Sequence, residues 1–417
     1  MFALRAFLQR RHRSLLIASL CAGCSTTPAA QVTGTGPLPA STCGRALAIL
    51  ETDYASTRVA AASLDGTTLS TELISSARGG VGLSATLSGD VVLPAQRASS
   101  GNLVLLDRYP NSVITWVAPE TGAVIGQLSV ATGFPSNPHD YLEVDANKAY
   151  VTRYESNAAP GAQRFDSGGD VLVVNPQTRT VVGHIPFANE DAFLPRPDRM
   201  ALVADESIAL ALLQRFDRTF STNGPSELVA IDTTSDKILW TLPLAAQGCG
   251  GIAVEAHRAV ITCEGPLRNR KPTTEGSALV AVDVTRAGGT IALHIDASAL
   301  GDVGPFGNAV AFLSDHVVLA NALGDLEQNR VDRLFEVDLG ATPPHPTLVL
   351  ASTSAFTLGD LVCTSCTTPR RCYLADAETA RVRVYALESA TSARVTEQPA
   401  FTGGATTTLP PRSLSFL

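Results

Sequence analysis

The feature that most restricts what this chain can fold into is an internal repeat of about fifty residues. The segments SVITWVAPETGAVIGQLSV (112–130), DVLVVNPQTRTVVGHIPF (170–187), ELVAIDTTSDKILWTLPL (227–244) and ALVAVDVTRAGGTIALHI (278–295) each read as a strand, a polar turn and a second strand. The last three follow hairpins of their own: YLEVDANKAYVTRY, RMALVADESIALALL and GIAVEAHRAVITC; AVAFLSDHVVLANA is a fourth hairpin of this kind. Apolar and β-branched runs bounded by turn residues recur throughout, and no long stretch keeps a helical period.

Four strands per unit, repeated along a chain, is the sequence mark of a β-propeller. Inner strands are expected to begin near Asp90, Asp140, Asp198, Gly250, Asn308 and Asp360, at spacings of 50, 58, 52, 58 and 52 residues. A further unit at 45–77 lacks a first strand. The C-terminal LPPRSLSFL (409–417) resembles LPRPDRMALV (194–203), where the unit containing Asp198 starts. The expectation is therefore an all-β, seven-bladed propeller of four-stranded blades over 43–417, closed by the C-terminal strand. Closure matters because an open ring leaves a sheet edge able to recruit other chains.

These strand-Asp-turn-strand units resemble YVTN/NHL-type seven-bladed propellers of bacterial surface proteins, over nearly all of 43–417. The unit LVAIDTTSDKILWTLPL is also similar to one repeat of quinoprotein propellers. In that resemblance Asp232 and Trp240 fall where that family docks one blade on the next, and only this unit has the Trp.

The N-terminus bears on compartment. Arg5, Arg10, Arg11 and Arg13 precede the apolar run 14–22, too short for the roughly 20 residues a helix needs to cross a bilayer. This reads as an export signal over 1–23. Ala22-Gly23-Cys24 resembles the lipobox of bacterial lipoproteins, which implies that Cys24 carries lipid and that Ser25 permits sorting to an outer membrane, facing the periplasm or the cell surface. Residues 24–42 are small, polar and rich in Pro and Gly, as in a flexible tether.

Six cysteines remain beyond Cys21 and Cys24, an even number that suits disulfides in an oxidising compartment. Cys249 and Cys263 flank one expected hairpin and Cys363 and Cys372 another, leaving Cys43 with Cys366. A rival arrangement takes Cys363, Cys366 and Cys372 as zinc ligands, but no nearby His completes it.

Charge excludes one class of partner. The formal net charge is −8, and without 1–23 the balance is 27 basic against 39 acidic residues, so no basic footprint for nucleic acid exists. Sequence motifs for an activated serine, a phosphate-binding loop, a zinc protease helix and a calcium loop are also absent from the sequence.

Chemistry would have to be assembled at the axis. Asp90, Asp140, Asp198, Asn308 and Asp360 ring one mouth of the channel, with His139 beside Asp140. Carboxylates facing one axis repel unless a cation, a basic ligand or hydrogen-bond donors offset them. The ring is thus either a ligand or divalent-cation site or a set of structural caps. The long loops 153–169, 214–226, 264–277 and 322–333 share this face. They carry Arg153, Tyr154, Arg164, Phe165, Arg215, Phe216 and Arg218, residue types enriched at binding hot spots.

The sequence accordingly points to an exported, lipid-anchored, monomeric propeller that binds an envelope protein, a glycan or a small ligand on its loop-rich face. No cofactor is predicted beyond a divalent cation in the acidic ring, and enzymatic activity is left open. The alternative is a propeller hydrolase or lactonase with a metal in that ring, or a quinoprotein-like oxidoreductase.

Overall fold

Each repeat folds into a four-stranded antiparallel sheet, and seven such sheets stand around a common axis. The computed structural model describes residues 44–417 except 78–82, 189–191, 204–206, 269–270, 302, 366, 368 and 390–393. Cys24, Cys43 and Cys366 lie outside the described residues, as do the expected signal and tether.

Taking the blades in chain order, blade 1 contains Ala46–Thr52, Thr57–Ser63 and Thr68–Ser75. The innermost strands of blades 2 to 7 are Val91–Val92, Pro138–Asp145, Pro197–Val203, Cys249–Glu255, Phe306–Phe312 and Leu358–Cys363. The expected starting points at Asp90, Asp140, Asp198, Gly250, Asn308 and Asp360 all fall at or beside these first residues. The missing inner strand of blade 1 is Pro411–Phe416, which pairs antiparallel with Ala46–Thr52 in the register Leu47 to Phe416 and Leu50 to Ser413. The ring therefore closes as the sequence resemblance between its two LP-starting segments implied.

Burial explains the composition of the strands. Second strands are covered on both faces by neighbouring blades, so Ala46–Thr52 and Ile208–Leu213 are buried at every position, and residues 46–50 and 208–213 read as continuous apolar runs rather than alternating ones. Outer strands meet solvent, and every position of Lys237–Pro243 is exposed or half-buried. The core is correspondingly divided: seven apolar clusters among the described residues each fill one interface between adjacent blades. The seventh, with Leu47, Ile49, Tyr373, Val382 and Leu414, joins the last blade to the first.

Edge strands are managed in the same way in every blade. The pairing between third and outer strand breaks register in all seven sheets. Such bulges twist an edge away from flat pairing with another chain. Asp232 and Trp240 both reach the next blade: Asp232 accepts from Arg286 at 2.6 Å, and Trp240 Nε1 donates to the Thr285 carbonyl at 3.0 Å while packing near Gly289. Both residues serve blade docking.

Among the described residues two disulfides form between directly paired positions, Cys249 with Cys263 in blade 5 and Cys363 with Cys372 in blade 7. With Cys363 and Cys372 bonded to each other, the zinc arrangement is lost.

Leu414 is 1 % exposed and sits in the closing strand, whereas Leu348 on the outer strand of blade 6 is 52 % exposed. Leu414→Ala is expected to cost about 2–5 kcal/mol in urea unfolding, and Leu348→Ala within about 0.5 kcal/mol. Equal losses for the two would show that the closing strand does not carry the ring.

Candidate functional site

Antiparallel order places the start of each inner strand, the loop between second and third strands, and the connection to the next blade on one face. The channel mouth on that face is built from these three kinds of segment.

The carboxylates there are each held by donors from the protein itself. Asp140 is buried and accepts from three backbone N–H groups: Ala95 at 3.0 Å from blade 2, Tyr141 at 2.9 Å, and Met200 at 2.7 Å from blade 4. It is a tie between three blades as much as a charge. Burial nevertheless pushes its carboxyl up to about 6, against the pull of the nearby Arg199. Asp90 takes Arg108 in an ion pair, with Nε at 3.0 Å. Asp198 receives His139 Nδ1 at 2.8 Å and Gln214 Nε2 at 2.5 Å. Asp360 receives Ser413 Oγ at 2.5 Å and Arg199 Nη2 at 3.3 Å.

Arg199 is the cation of the ring. It directly follows Asp198, its side chain is 19 % exposed, and it lies among Asp140, Asp198 and Asp360. These three carboxylates raise its already high basicity further, against the opposing effect of burial. Beside it the channel leaves a space of about 40 Å³ lined by Ala95, Ile252, Asn308, Asp360 and Leu414, room for a few waters and not for a sugar ring. Blade 5 contributes Gly250 where the other blades have polar side chains. A Cβ there would stand 2.6 Å from Asn308 Oδ1 and 2.8 Å from Gln214 Nε2, so the neighbours occupy the place a side chain would take.

Next to the axis the mouth continues as an aromatic stack. His139 and Tyr154 lie parallel with centroids 4.0 Å apart, Phe220 lies beyond Tyr154 at 6.2 Å, and the Arg196 guanidinium sits over Phe220 at 4.1 Å. Tyr154 donates to Gln214 Oε1 at 2.6 Å. Burial lowers the basicity of His139 despite the Asp198 carboxylate, so the ring is neutral at pH 7, with its proton on Nδ1 toward Asp198. Its Nε2 is then an acceptor, buried and without a hydrogen-bond partner among the described residues. Burial also pushes Glu264, which accepts from Asn308 Nδ2 at 2.5 Å, up to about 7.

The residues named from the long loops divide into two groups. Arg153 is wholly buried: Nε and Nη2 each reach the Asp170 carboxylate at 2.7 Å, and Nη2 also donates to the Phe165 carbonyl at 2.6 Å. Its fork is consumed inside blade 3, so it anchors the loop rather than the rim. Tyr154 and Phe216 are buried, and Arg215 pairs with Glu227. Arg164 and Arg218 are exposed, with Arg164 stacked over the half-buried Phe165 at 4.3 Å. Among the described residues no three His, Cys, Asp or Glu side chains converge in a way that could hold a metal ion.

This is a seven-bladed propeller with a polar, internally neutralised channel mouth. No family model and no curated protein matches the chain. Solved structures do resemble it. A candidate 6-phosphogluconolactonase from Bacteroides fragilis aligns with TM-score 0.55 at 12 % identity, over 91 % of this chain and 100 % of that one. Another from Bacteroides uniformis gives 0.56 at 11 %, over 90 % and 100 %. The RRP9 WD40 repeats give 0.51 at 8 %, over 78 % and 82 %. At these identities the likeness is one of fold.

Replacing Arg199 with Met leaves three inward carboxylates without their cation. A loss on the order of 3 kcal/mol is expected at pH 8. The sign with pH follows from Asp140: a carboxyl whose folded pKa, about 6, lies above its ordinary 3.8 favours the fold at low pH, and this contribution is lost as pH rises through 6. Removing Arg199 takes away the charge that holds the Asp140 carboxyl down and so moves it further in that direction, and the deficit of the variant should shrink between pH 8 and pH 5. Thermal unfolding curves showing the same deficit at both values would contradict this account.

Proposed function

We propose that this chain is an exported, lipid-anchored recognition module whose loop-rich face binds an envelope partner, and that it performs no chemistry of its own. The observation that carries the proposal is the satisfaction of the mouth. Asp140, Asp198 and Asp360 spend their charge on internal donors, Asp90 spends one oxygen on Arg108, and the half-buried Arg199 guanidinium stands among Asp140, Asp198 and Asp360 in the place of a bound cation. A site prepared to take a metal or to activate a nucleophile keeps some of that capacity unspent. The same face carries long loops with exposed Arg164 and Arg218, the kind of mobile cationic side chain that steers an acidic partner.

The two disulfides support an oxidising compartment, and the Ala22-Gly23-Cys24 segment supports a lipid anchor. Expressed in a bacterium fed labelled palmitate, the protein should incorporate label, and Cys24→Ala should abolish it while leaving the protein exported. Equal labelling of the variant would remove the anchor from this proposal. Recognition is tested by reversing both exposed arginines, Arg164→Glu with Arg218→Glu, and measuring capture of purified acidic envelope proteins on a sensor surface. Capture that the reversal leaves unchanged would place recognition elsewhere.

One observation favours a second reading, acid-base chemistry at the mouth: the buried His139 ring is aligned by Asp198 through Nδ1, and its Nε2 has no partner among the described residues. Elemental analysis after mild purification discriminates between the readings. A stoichiometric divalent metal, with loss of thermal stability on chelation, would favour a propeller hydrolase or lactonase; its absence together with an unchanged midpoint favours recognition.

A further inference from the structure

Most large apolar side chains that this protein exposes are aliphatic, and most of these are on outer strands. Among the described residues the three aromatic ones are Tyr54, Tyr109 and Phe356, exposed to 46 %, 61 % and 49 %. Topology puts all three on the face of the channel mouth. Tyr54 is in the turn between second and third strands of blade 1, Tyr109 is in the equivalent turn of blade 2, and Phe356 is in the connection from blade 6 to blade 7. They occupy the arc of blades 7, 1 and 2, whereas the buried stack of His139, Tyr154 and Phe220 belongs to blades 3 and 4.

The three rings share one continuous support. Arg412, in the closing strand, lies over the Tyr54 ring at 5.7 Å and donates to the Phe356 carbonyl. On the other side of Tyr54, Thr52 Oγ1 donates to the Gly89 carbonyl at 2.9 Å and Thr57 Oγ1 to the Ser88 carbonyl at 2.8 Å, while Ser88 Oγ reaches the Tyr109 carbonyl at 3.1 Å. Gly89 is required here, since a Cβ would stand 2.3 Å from the Tyr54 carbonyl oxygen. Tyr54 and Phe356 both adopt positive φ, 65° and 60°, a backbone state that bulky side chains seldom take and that surrounding structure must hold in place. Nothing in the core needs these rings, because they are half out in solvent.

Beside Tyr109 on the same turn, Arg108 pairs with Asp90 at the rim. The pair is about one-fifth exposed, and Asp90 Oδ2 and Arg108 Nη1 have no protein partner among the described residues. A planar carboxylate and guanidinium with an open acceptor and open donors match the adjacent hydroxyls of a sugar. The negative face of an aromatic ring attracts the weakly positive C–H groups on the flat side of a pyranose. Separate rings set among hydroxyls and charges suit an alternately polar and apolar chain of sugars. They do not suit a protein partner, whose contact core would need a contiguous apolar area depleted of charge.

We propose that this arc is a glycan-binding platform: Tyr54, Tyr109 and Phe356 stack successive pyranose rings of a neutral oligosaccharide, and Asp90 with Arg108 orients the sugar nearest the mouth. The assignment rests on the recognition reading above and names a ligand class for the same face. Titration calorimetry with cellohexaose, N-acetylchitohexaose and maltohexaose up to about 10 mM tests it, with a ten-residue polyproline as the competing peptide class. At least one hexasaccharide should bind. Tyr54→Ala, Tyr109→Ala and Phe356→Ala should each weaken binding by about 3- to 10-fold, the triple variant should abolish it, and Tyr109→Phe should keep it. All three side chains are exposed, so unchanged thermal midpoints are expected and will separate lost binding from lost structure.

Binding of the peptide without binding of any sugar would overturn the proposal, and so would absence of all sugar binding or sugar binding that survives in the triple variant. If the sugars fail while capture of acidic envelope proteins still depends on Arg164 and Arg218, the glycan assignment falls and the recognition reading stands. If both fail, the recognition reading falls with it.

Discussion

Everything at the mouth depends on one pairing, that of Pro411–Phe416 with Ala46–Thr52. Without it Ala46–Thr52 has no inner partner, and the interface between the last blade and the first loses Leu414 and Phe416. With the pairing made, Leu414 joins Leu47, Ile49, Tyr373 and Val382 in a cluster equivalent to the other six, and the inner strands are fixed at the distances that let side chains from non-adjacent blades meet. Ser413 shows the link directly, since it accepts from the Leu93 N–H of blade 2 at 3.1 Å and donates to Asp360 of blade 7. Hydrophobic burial between blades supplies the driving force, and closure converts it into a defined axis.

Once the axis is fixed, electrostatics determines what can stand on it. Inward carboxylates in a confined channel are costly unless compensated. The chain meets this with backbone N–H groups for Asp140, an imidazole and an amide for Asp198, and guanidinium groups for Asp90 and Asp360. Arg108 and Gln214 belong to the same blades as their carboxylates, but Ala95, Met200, His139 and Arg199 reach across from other blades, so the polar network adds lateral ties to the apolar interfaces.

Much of the architecture was legible from the chain because hairpins of similar length recur at similar intervals, and because two segments beginning with LP start equivalent strands. The position of the acids was legible for the same reason. Their partners were not. Arg199 occurs in one blade only, so no repeat signals it, although its place directly after Asp198 on an inner strand was visible. Arg153 drew attention as a loop residue and is a buried anchor, because Asp170, seventeen positions later, lies directly opposite it in the register of blade 3. Tyr54, Tyr109 and Phe356 carry no sequence signal, because each is a single aromatic residue in a short turn or connection. The order of blades around the ring, not any local pattern, brings those three together.

The closing strand also sets a timetable. Ala46–Thr52 is made early, and its partner is made only when residues 411–416 emerge, some 360 residues later. At ordinary synthesis rates of about 5–20 residues per second, that delay is about 20–70 s. Throughout it an alanine- and leucine-rich strand has one unpaired side. Such an interval favours a chain kept unfolded until it has been delivered whole, which is how a protein passed through a membrane as an extended thread would arrive.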